Sequence, residues 1–287
     1  MSHKITLLYD RIRVEEKELI NAAEKRGVHL KAVDAKALHV VASDLQADKE
    51  LFGDVILERC ISFFRGLYLT AVLESKGITV INNFETANIC GNKLLTTLAL
   101  AKAGVPTPKT VIAFTPEEAE KALEELGYPA VIKPVFGSWG RLVAPLRDRE
   151  MAQYILEHRA EMGSPLHQIY YIQEMVERPP RDIRTIVVGG ELVAAIYRYA
   201  PPNEWRTNIA RGGKAEPCPV TPELEELVLK AAKAVGGGVL GIDVLESPRG
   251  LLVNEVNSTV EFRGAMSATK IDIPGKIIDY ALEKARR

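Results

Sequence analysis

The chain has 287 residues, of which 47% are hydrophobic and 26% are charged. These are ordinary values for a folded globular protein, and they exclude a chain that is mainly disordered. The formal net charge is −1, from 37 Lys and Arg against 38 Asp and Glu, which argues against bulk attraction to long nucleic acids. The length exceeds what one compact core usually fills, so we expect two or three packed lobes.

The first third of the chain alternates short apolar strands with amphipathic helices. This order predicts a parallel sheet with helices on its faces. The predicted strands are 5–9, 55–58 and 78–81, and the predicted helices are 14–26, 63–76 and 86–103.

The rest of the chain carries clear turn and cap signals. Thr115-Pro116 opens a helix, and Glu118 can reach back to the cap. Gly189-Gly190 predicts a two-residue turn between two strands. The other predicted elements are strands at 110–113, 130–133, 170–176, 182–188, 191–199, 241–245 and 251–257, and helices at 221–234 and 274–284.

No targeting or membrane signal is visible. The apolar run near the start is too short for a signal peptide, and no segment reaches the about 20 apolar residues of a membrane span. Cys60, Cys90 and Cys218 are scattered without a C-x-x-C pair, which excludes a disulfide scaffold or zinc ribbon. We therefore expect a cytoplasmic protein, and the scarcity of glutamine beside abundant Glu, Lys and Arg is typical of a thermophile.

Two glycine motifs invite a phosphate-binding interpretation. Gly236-x-Gly238-x-x-Gly241 matches a dinucleotide fingerprint in letters, but a helix precedes it and a strand follows, the reverse of the required order. The loop at 137–141 follows a predicted strand that ends at Lys133. Its glycines allow backbone N–H groups to approach phosphate closely, and Lys133 can add a point charge. An ordinary surface turn is the alternative.

Three polar side chains on two late strands form a candidate metal site. Glu255 and Asn257 are two residues apart and share a strand face. A three-residue loop at 248–250 would pair Ser247 with Leu251 and place Asp243 opposite Glu255. Such hard oxygen ligands suit Mg²⁺ with substrate phosphates. The alternative is a solvated polar patch on an exposed face.

Taken in order, these motifs resemble those of the ATP-grasp ligases, and within them the RimK-type group. Lys93, in Cys90-Gly-Asn-Lys93, matches the first lysine of that family, and Gln173-Glu174 matches its hinge strand. The matching segments run nearly end to end. The resemblance implies an α/β fold with α+β lobes: an N-terminal Rossmann-like (pre-ATP-grasp) domain at 1–88, a central ATP-grasp lobe at 89–168 and a C-terminal lobe at 169–287.

The resemblance also implies ATP and Mg²⁺ as cofactors and assigns residues to them. Arg184 and Arg198 are the candidates for stabilising charge at an acyl phosphate, although both could be paired strand residues. The metal set is Asp243, Glu255 and Asn257. The residues implied at ATP are Lys93, Lys133, Gly137, Ser138, Trp139, Gly140, Arg141, Gln173, Glu174, Met175, Val176, Arg184 and Asn208. Those implied at the amino-acid substrate are Arg198, Ile209, Ala210, Glu261, Phe262, Arg263, Gly264 and Ala265.

More narrowly, the chain is similar to the LysX branch, which couples α-aminoadipate to the carrier protein LysW. After the Glu-Phe motif that branch usually carries Asn and a small residue, whereas the glutamate-specific ArgX branch carries Gly-Phe. Gly264 and Ala265 share one feature with each. One methylene is worth only about 1–3 kcal/mol of discrimination. Because Ala265 leaves more room than Phe, we expect α-aminoadipate, with glutamate as a second substrate.

The implied activity is ATP-dependent ligation to the C-terminal Glu of a small acidic carrier protein through an acyl phosphate. The alternatives are a RimK-like enzyme that adds glutamate to a protein tail or peptide, and an ATP-binding regulatory protein without turnover. The family commonly forms homodimers or tetramers. The basic residues expected near the acceptor end, where an acidic carrier would approach, are Arg206, Arg211, Lys214, Arg263 and Lys270.

Overall fold

The computed structural model describes residues 4–46, 48–137, 139–201, 204, 207 and 214–286. These residues form three sheets, of four, four and five strands, and each sheet belongs to one lobe. Among them, no helix has both the length and the apolar character needed to cross a membrane.

The N-terminal lobe is a parallel sheet, as its alternating pattern predicted. The spatial strand order is β2-β1-β3-β4. The sequence pattern did not predict β2, because this strand has few apolar residues and buries only Val33 among them. The strands are β1 (Lys4–Tyr9), β2 (His29–Asp34), β3 (Val55–Glu58) and β4 (Thr79–Ile81), and the helices are α1 (Val14–Lys25), α2 (Lys49–Phe52) and α3 (Phe63–Ser75).

The helix predicted at 86–103 is two helices, which corrects the sequence interpretation. They are α4 (Phe84–Gly91) and α5 (Lys93–Lys102). Asn92 adopts an extended conformation between them, and its side chain accepts hydrogen bonds from the backbone N–H groups of Leu94 and Leu95. The Lys93 N–H then donates to the carbonyl of Val135, at 2.8 Å. The break therefore places Lys93 beside the glycine loop.

The central lobe is an antiparallel sheet in the order β5-β8-β6-β7, covered by two helices whose apolar faces share one core. The cap at Thr115 is confirmed, because its hydroxyl accepts from the N–H of Glu118. The Glu118 carboxylate pairs with Lys121 instead of returning to the cap. The elements are β5 (Thr110–Ala113), α6 (Pro116–Leu126), β6 (Ala130–Lys133), β7 (Ala144–Leu146), α7 (Arg149–Ala160) and β8 (Tyr170–Glu174).

The C-terminal lobe is an antiparallel sheet in the order β11-β10-β9-β12-β13. The predicted turn at Gly189-Gly190 is confirmed, and both residues have the positive φ that glycine tolerates best. The glycines at 236–238 connect a helix to a strand and not a strand to a helix. The elements are β9 (Arg181–Val188), β10 (Glu191–Tyr199), β11 (Lys214–Pro217), α8 (Pro222–Ala234), β12 (Val239–Ser247), β13 (Gly250–Asn257), α9 (Arg263–Thr269) and α10 (Ile273–Ala285).

Helices from one part of the chain pack against lobes formed by other parts. The last helix, α10, packs on α1, and its Ile277 and Ala281 share a core with Ile5 and Leu7 of the first strand. The helices α4 and α5 contact β13 of the C-terminal lobe. Since β8 hydrogen-bonds within the central sheet, we place the start of the C-terminal lobe after Glu174 and not at residue 169. The division into three lobes otherwise stays a prediction.

All three cysteines lie in hydrophobic cores, and their side chains are nearly inaccessible to solvent. Burial raises the pKa of each of the thiols of Cys60, Cys90 and Cys218. We therefore expect the native protein at pH 8 to react with a thiol reagent about 100-fold more slowly than the unfolded chain. Reagent uptake followed with and without denaturant measures this difference. One rapidly reacting thiol in the native protein would contradict the prediction.

Candidate active site

Charged side chains gather at one end of the C-terminal sheet. Asp243 on β12 lies directly opposite Arg184 on β9 and Glu255 on β13. Because directly opposite residues share a sheet face, both carboxylates and the guanidinium project to the same side. The predicted pairing of Asp243 with Glu255 is confirmed.

That pairing arises differently from the prediction. The loop has two residues and not three, so Ser247 pairs with Gly250. This shortening alone would shift the register by one residue. A β-bulge at Asn254 inserts one extra residue into β13 and restores the alignment of Asp243 with Glu255. The two departures cancel.

Asp243 is buried between two arginines. It accepts a bidentate pair from Arg184, with Nη2 at 3.0 Å from Oδ2, and a further contact from Arg198 Nη2 at 3.1 Å. Burial alone would raise the pKa of Asp243, but the charges and hydrogen bonds of the two arginines hold it below its ordinary value. The carboxylate is therefore ionised, and in this structure the two guanidinium groups balance its charge.

Arg198 is buried rather than open to the cleft. Its Nε and Nη2 donate to the two carboxylate oxygens of Asp182 at 2.8 and 2.7 Å. Thr207 also donates its hydroxyl hydrogen to Asp182. Burial disfavours the guanidinium charge, yet the carboxylates of Asp243 and Asp182 raise the pKa of Arg198 overall. In this structure the Arg198 guanidinium bridges two buried carboxylates, those of Asp182 and Asp243.

Two lysines approach the cluster from the central lobe. Lys93 Nζ donates to Glu255 Oε1 at 2.8 Å and to the carbonyl of Gly137 at 3.0 Å. Lys133 Nζ donates to Gln173 Oε1 at 2.6 Å and to Asn254 Oδ1 at 3.1 Å. Burial lowers the pKa of Lys133 to about 8, which the charge of Glu255 partly opposes and that of Lys93 reinforces.

The glycine loop spans the cleft from the end of β6. Gly137 and Gly140 have positive φ, and so does Trp139 between them. Trp139 Nε1 donates to Glu261 Oε1 at 3.2 Å, and Arg141 lies over the Trp139 ring at 5.0 Å. The loop thus crosses from the central lobe to the C-terminal lobe, above the two lysines at its base.

Two family models divide this chain between them. The RimK-like ATP-grasp domain matches residues 90–281, and the LysX preATP-grasp domain matches residues 5–89. The chain belongs to the RimK-like ATP-grasp family. The resemblance and the fold expected from the motifs are confirmed, as is the assignment to the ATP-grasp ligases.

This RimK-like protein has two kinds of similar relative. It is 40% identical over 282 residues to the glutamate–LysW ligase ArgX of Sulfurisphaera tokodaii, which covers 98% of each chain. It is 39% identical over 276 residues to the α-aminoadipate–LysW ligase LysX of Saccharolobus solfataricus, which covers 96% and 99%. The ATP-grasp RimK domain protein of Sphaerobacter thermophilus has a TM-score of 0.78 at 26% identity, over 97% and 99% of the chains.

The hinge strand of the RimK-like domain is partly committed to internal bonds. Gln173 is buried, and its Oε1 accepts a hydrogen bond from Lys133 Nζ. The N–H groups of Glu174 and Met175 donate to the carbonyls of Lys109 and Pro129. An adenine ring would therefore have to use the backbone carbonyls or Val176 to avoid breaking these bonds.

The expected amino-acid wall at 261–265 is only partly open. Phe262 is fully buried and Ala265 is 2% exposed, both within a hydrophobic core. These two side chains present no surface to a ligand, which corrects the expectation that they line the pocket. Glu261 and Arg263 are exposed. The small side chain of Ala265 therefore adds no room for a longer substrate.

Several expected site residues lie outside the described part of the chain. These are Ser138, Asn208, Ile209 and Ala210, and the basic residues Arg206 and Arg211. Conversely, the structure brings in Asp182 and Asn254, to which the sequence assigned no function. Asp182 could have been found, because it is two residues from Arg184 and shares its strand face. The position of Asn254 depends on the bulge, which no sequence pattern indicated.

The donor set fits a magnesium ion that is completed by phosphates. Within the described ranges, no group of three or more His, Cys, Asp or Glu side chains is placed to hold a metal. Asp243 and Glu255 supply two carboxylates. Asn257 follows Glu255 on the same strand face and offers its side-chain amide oxygen as a third ligand. Hard oxygen ligands from few side chains are the usual Mg²⁺ arrangement at phosphate sites.

Proposed function

We propose that this protein is an ATP-dependent carboxylate–amine ligase that joins the α-amino group of α-aminoadipate or glutamate to the γ-carboxylate of the C-terminal Glu of LysW. Its place is in lysine biosynthesis, with arginine biosynthesis as the second assignment. The cluster of Lys93, Glu255 and Asp243 beside the glycine loop is the observation that carries the proposal. The similarities to ArgX and LysX, at 40% and 39%, support the carrier and leave both amino acids as candidates.

The charged groups divide the work of phosphoryl transfer. Lys93 and Lys133 would bind ATP phosphate oxygens, and the glycine loop would close over them. Asp243, Glu255 and Asn257 would hold Mg²⁺, which when bound neutralises phosphate charge. In this structure Arg184 forms an ion pair with Asp243. Once a metal binds this carboxylate, Arg184 is the candidate for contacting the phosphates. Positioning and charge neutralisation account for most of catalysis in such reactions.

The reaction needs no nucleophilic side chain. The carrier carboxylate oxygen attacks the γ-phosphorus, ADP leaves and an acyl phosphate forms. The amine of the amino acid then attacks the acyl carbon, phosphate leaves with the C–O bond electrons, and an amide forms with loss of one proton. A cationic side chain beside the acyl phosphate would stabilise its developing charge, and Arg184 is the proposed group. Arg198, buried against Asp182 and Asp243, would act by holding these carboxylates in place.

Replacement of Lys133 by methionine tests the ATP assignment. Methionine keeps the length and apolar stem but removes the ammonium group. We expect the KM for ATP to rise at least about 10-fold, because a hydrogen bond to a charged group contributes about 1.5–3 kcal/mol. Initial-rate measurements at varied ATP provide the value. Lys121→Met, which removes an exposed lysine paired with Glu118, is the control, and equal KM values in both variants would contradict the assignment.

Purified protein with Mg-ATP, LysW and each amino acid tests the function directly. We expect ADP release together with a carrier heavier by the amino acid minus one water. If ADP appears only with other protein tails or peptides, the protein is a RimK-like glutamate ligase. ATP binding without turnover on any acceptor would support a regulatory protein. Light scattering of the same sample tests the expected dimer or tetramer.

A further inference from the structure

Glu261 is the point at which side chains of all three lobes meet. It belongs to the segment between β13 and α9 of the C-terminal lobe. Its Oε1 accepts from Trp139 Nε1 of the central lobe at 3.2 Å and from Arg13 Nη1 of the N-terminal lobe at 3.3 Å. The side chain is 44% exposed, so it lies at the protein surface and not in a core.

Arg13 is held rigidly behind this contact. Its Nε and Nη2 donate to the two oxygens of Glu16 at 3.0 and 2.8 Å, and its backbone N–H donates to the same carboxylate at 2.9 Å. Glu16 is fully buried. With the Nε–Nη2 edge of the guanidinium held by a buried carboxylate, the remaining nitrogen, Nη1, is pre-organised toward Glu261.

Two guanidinium groups lie beside the two buried carboxylates of Glu15 and Glu16. Arg59 also donates to Glu16, through Nε at 3.1 Å, so two guanidinium groups share one buried carboxylate. Within the described residues, Arg59 Nη2 is buried and has no hydrogen-bond partner. The neighbouring Glu15 accepts from the N–H of Arg263. Arg59 is inaccessible, so Arg13 is the one of these two guanidinium groups that can contact a ligand.

We infer that Arg13 binds the side-chain carboxylate of the amino-acid substrate, and that Glu261 occupies this place in the unliganded protein. The inference rests on the proposed function. The α-carboxylate shares a carbon with the reacting amine and must stay near the acyl phosphate. The side-chain carboxylate is two or three methylenes away and is the group able to extend to the N-terminal lobe. A fixed guanidinium there would select an acidic side chain over a neutral one.

Glutamate and glutamine compared as acceptors provide the test, because they differ in charge and hardly in shape. With LysW and saturating Mg-ATP, we expect the wild-type protein to prefer glutamate strongly. Arg13→Met should raise the KM for glutamate and α-aminoadipate about 100-fold and should largely abolish the preference over glutamine, with the KM for ATP unchanged. Arg13→Lys should restore part of the preference, because it restores the charge without the bidentate geometry.

The controls separate this inference from the proposed function and from misfolding. Arg26→Met removes another lobe-bridging arginine, paired with Asp272 and Asp279 on α10, and should leave the glutamate preference intact. Glu261→Gln removes the competing anion and should lower the KM for glutamate. If the wild-type protein forms no amide, the proposed function fails. If it does so and Arg13→Met keeps the wild-type preference for glutamate, the assignment of Arg13 is overturned.

Discussion

Glu255→Gln is expected to lower kcat/KM for ADP formation by about 1,000-fold. The substitution keeps the shape of the side chain but removes the charge that faces Asp243 and pairs with Lys93 at 2.8 Å. A metal ligand at a phosphoryl-transfer site contributes several kcal/mol of transition-state stabilisation, and each about 1.4 kcal/mol is a factor of ten. Initial rates at increasing Mg²⁺ concentration measure the effect and show whether excess metal restores activity.

The matched control for Glu255 is Glu246 on the neighbouring strand. Its carboxylate also pairs with a cation, Arg181, at 2.7 and 2.8 Å, but away from the lysines and the glycine loop. Glu246→Gln should keep most of the wild-type rate. A Glu255→Gln variant with more than about a tenth of wild-type activity at saturating Mg²⁺ would show that Glu255 is no metal ligand.

Arg198→Met is expected to lower the free energy of unfolding by about 3–5 kcal/mol, because it leaves the buried Asp182 without its bidentate partner and Asp243 with one arginine fewer. Urea denaturation measures the change. The partly exposed pair between Arg181 and Glu246 provides a contrast, since Arg181→Met should cost clearly less than Arg198→Met because water partly screens this pair.

A second substitution separates loss of the ion pair from loss of packing. If the cost of Arg198→Met comes from the uncompensated charge of Asp182, then Asp182→Asn in the same background should recover part of the lost stability. Suppose instead that Asp182→Asn lowers the free energy of unfolding by the same amount in the Arg198→Met background as in the wild-type protein. The two side chains would then act independently. Activity measured on the more stable variant then tests the positioning role proposed for Arg198.

The strand pair that carries Asp243 and Glu255 shows how far local pattern reaches. Alternation along one strand was enough to predict that Glu255 and Asn257 share a face, but the alignment of Asp243 with Glu255 also depended on the register between the strands. The loop length was wrong by one residue, and the bulge at Asn254 corrected the register. A bulge is selected by packing and twist across the sheet, so short-range pattern does not reveal it.

The break at Asn92 is a similar case. The segment is apolar and helical on both sides, and asparagine within a helix is tolerated at modest cost. What favours the break is a contact with a distant part of the chain, the hydrogen bond from the Lys93 N–H to the carbonyl of Val135. The same contact places Lys93 at the base of the glycine loop.

The sequence by itself determined the family and the alternation of strands and helices in the first lobe, except for β2. These depend on motif order, hydrophobic period and caps, which act over a few residues. Only the tertiary structure decided which cation meets which carboxylate. Arg13 and Glu261 are 248 positions apart, and Phe262 lies in the core instead of the pocket. Such pairings follow from how the lobes pack, and no local pattern encodes them.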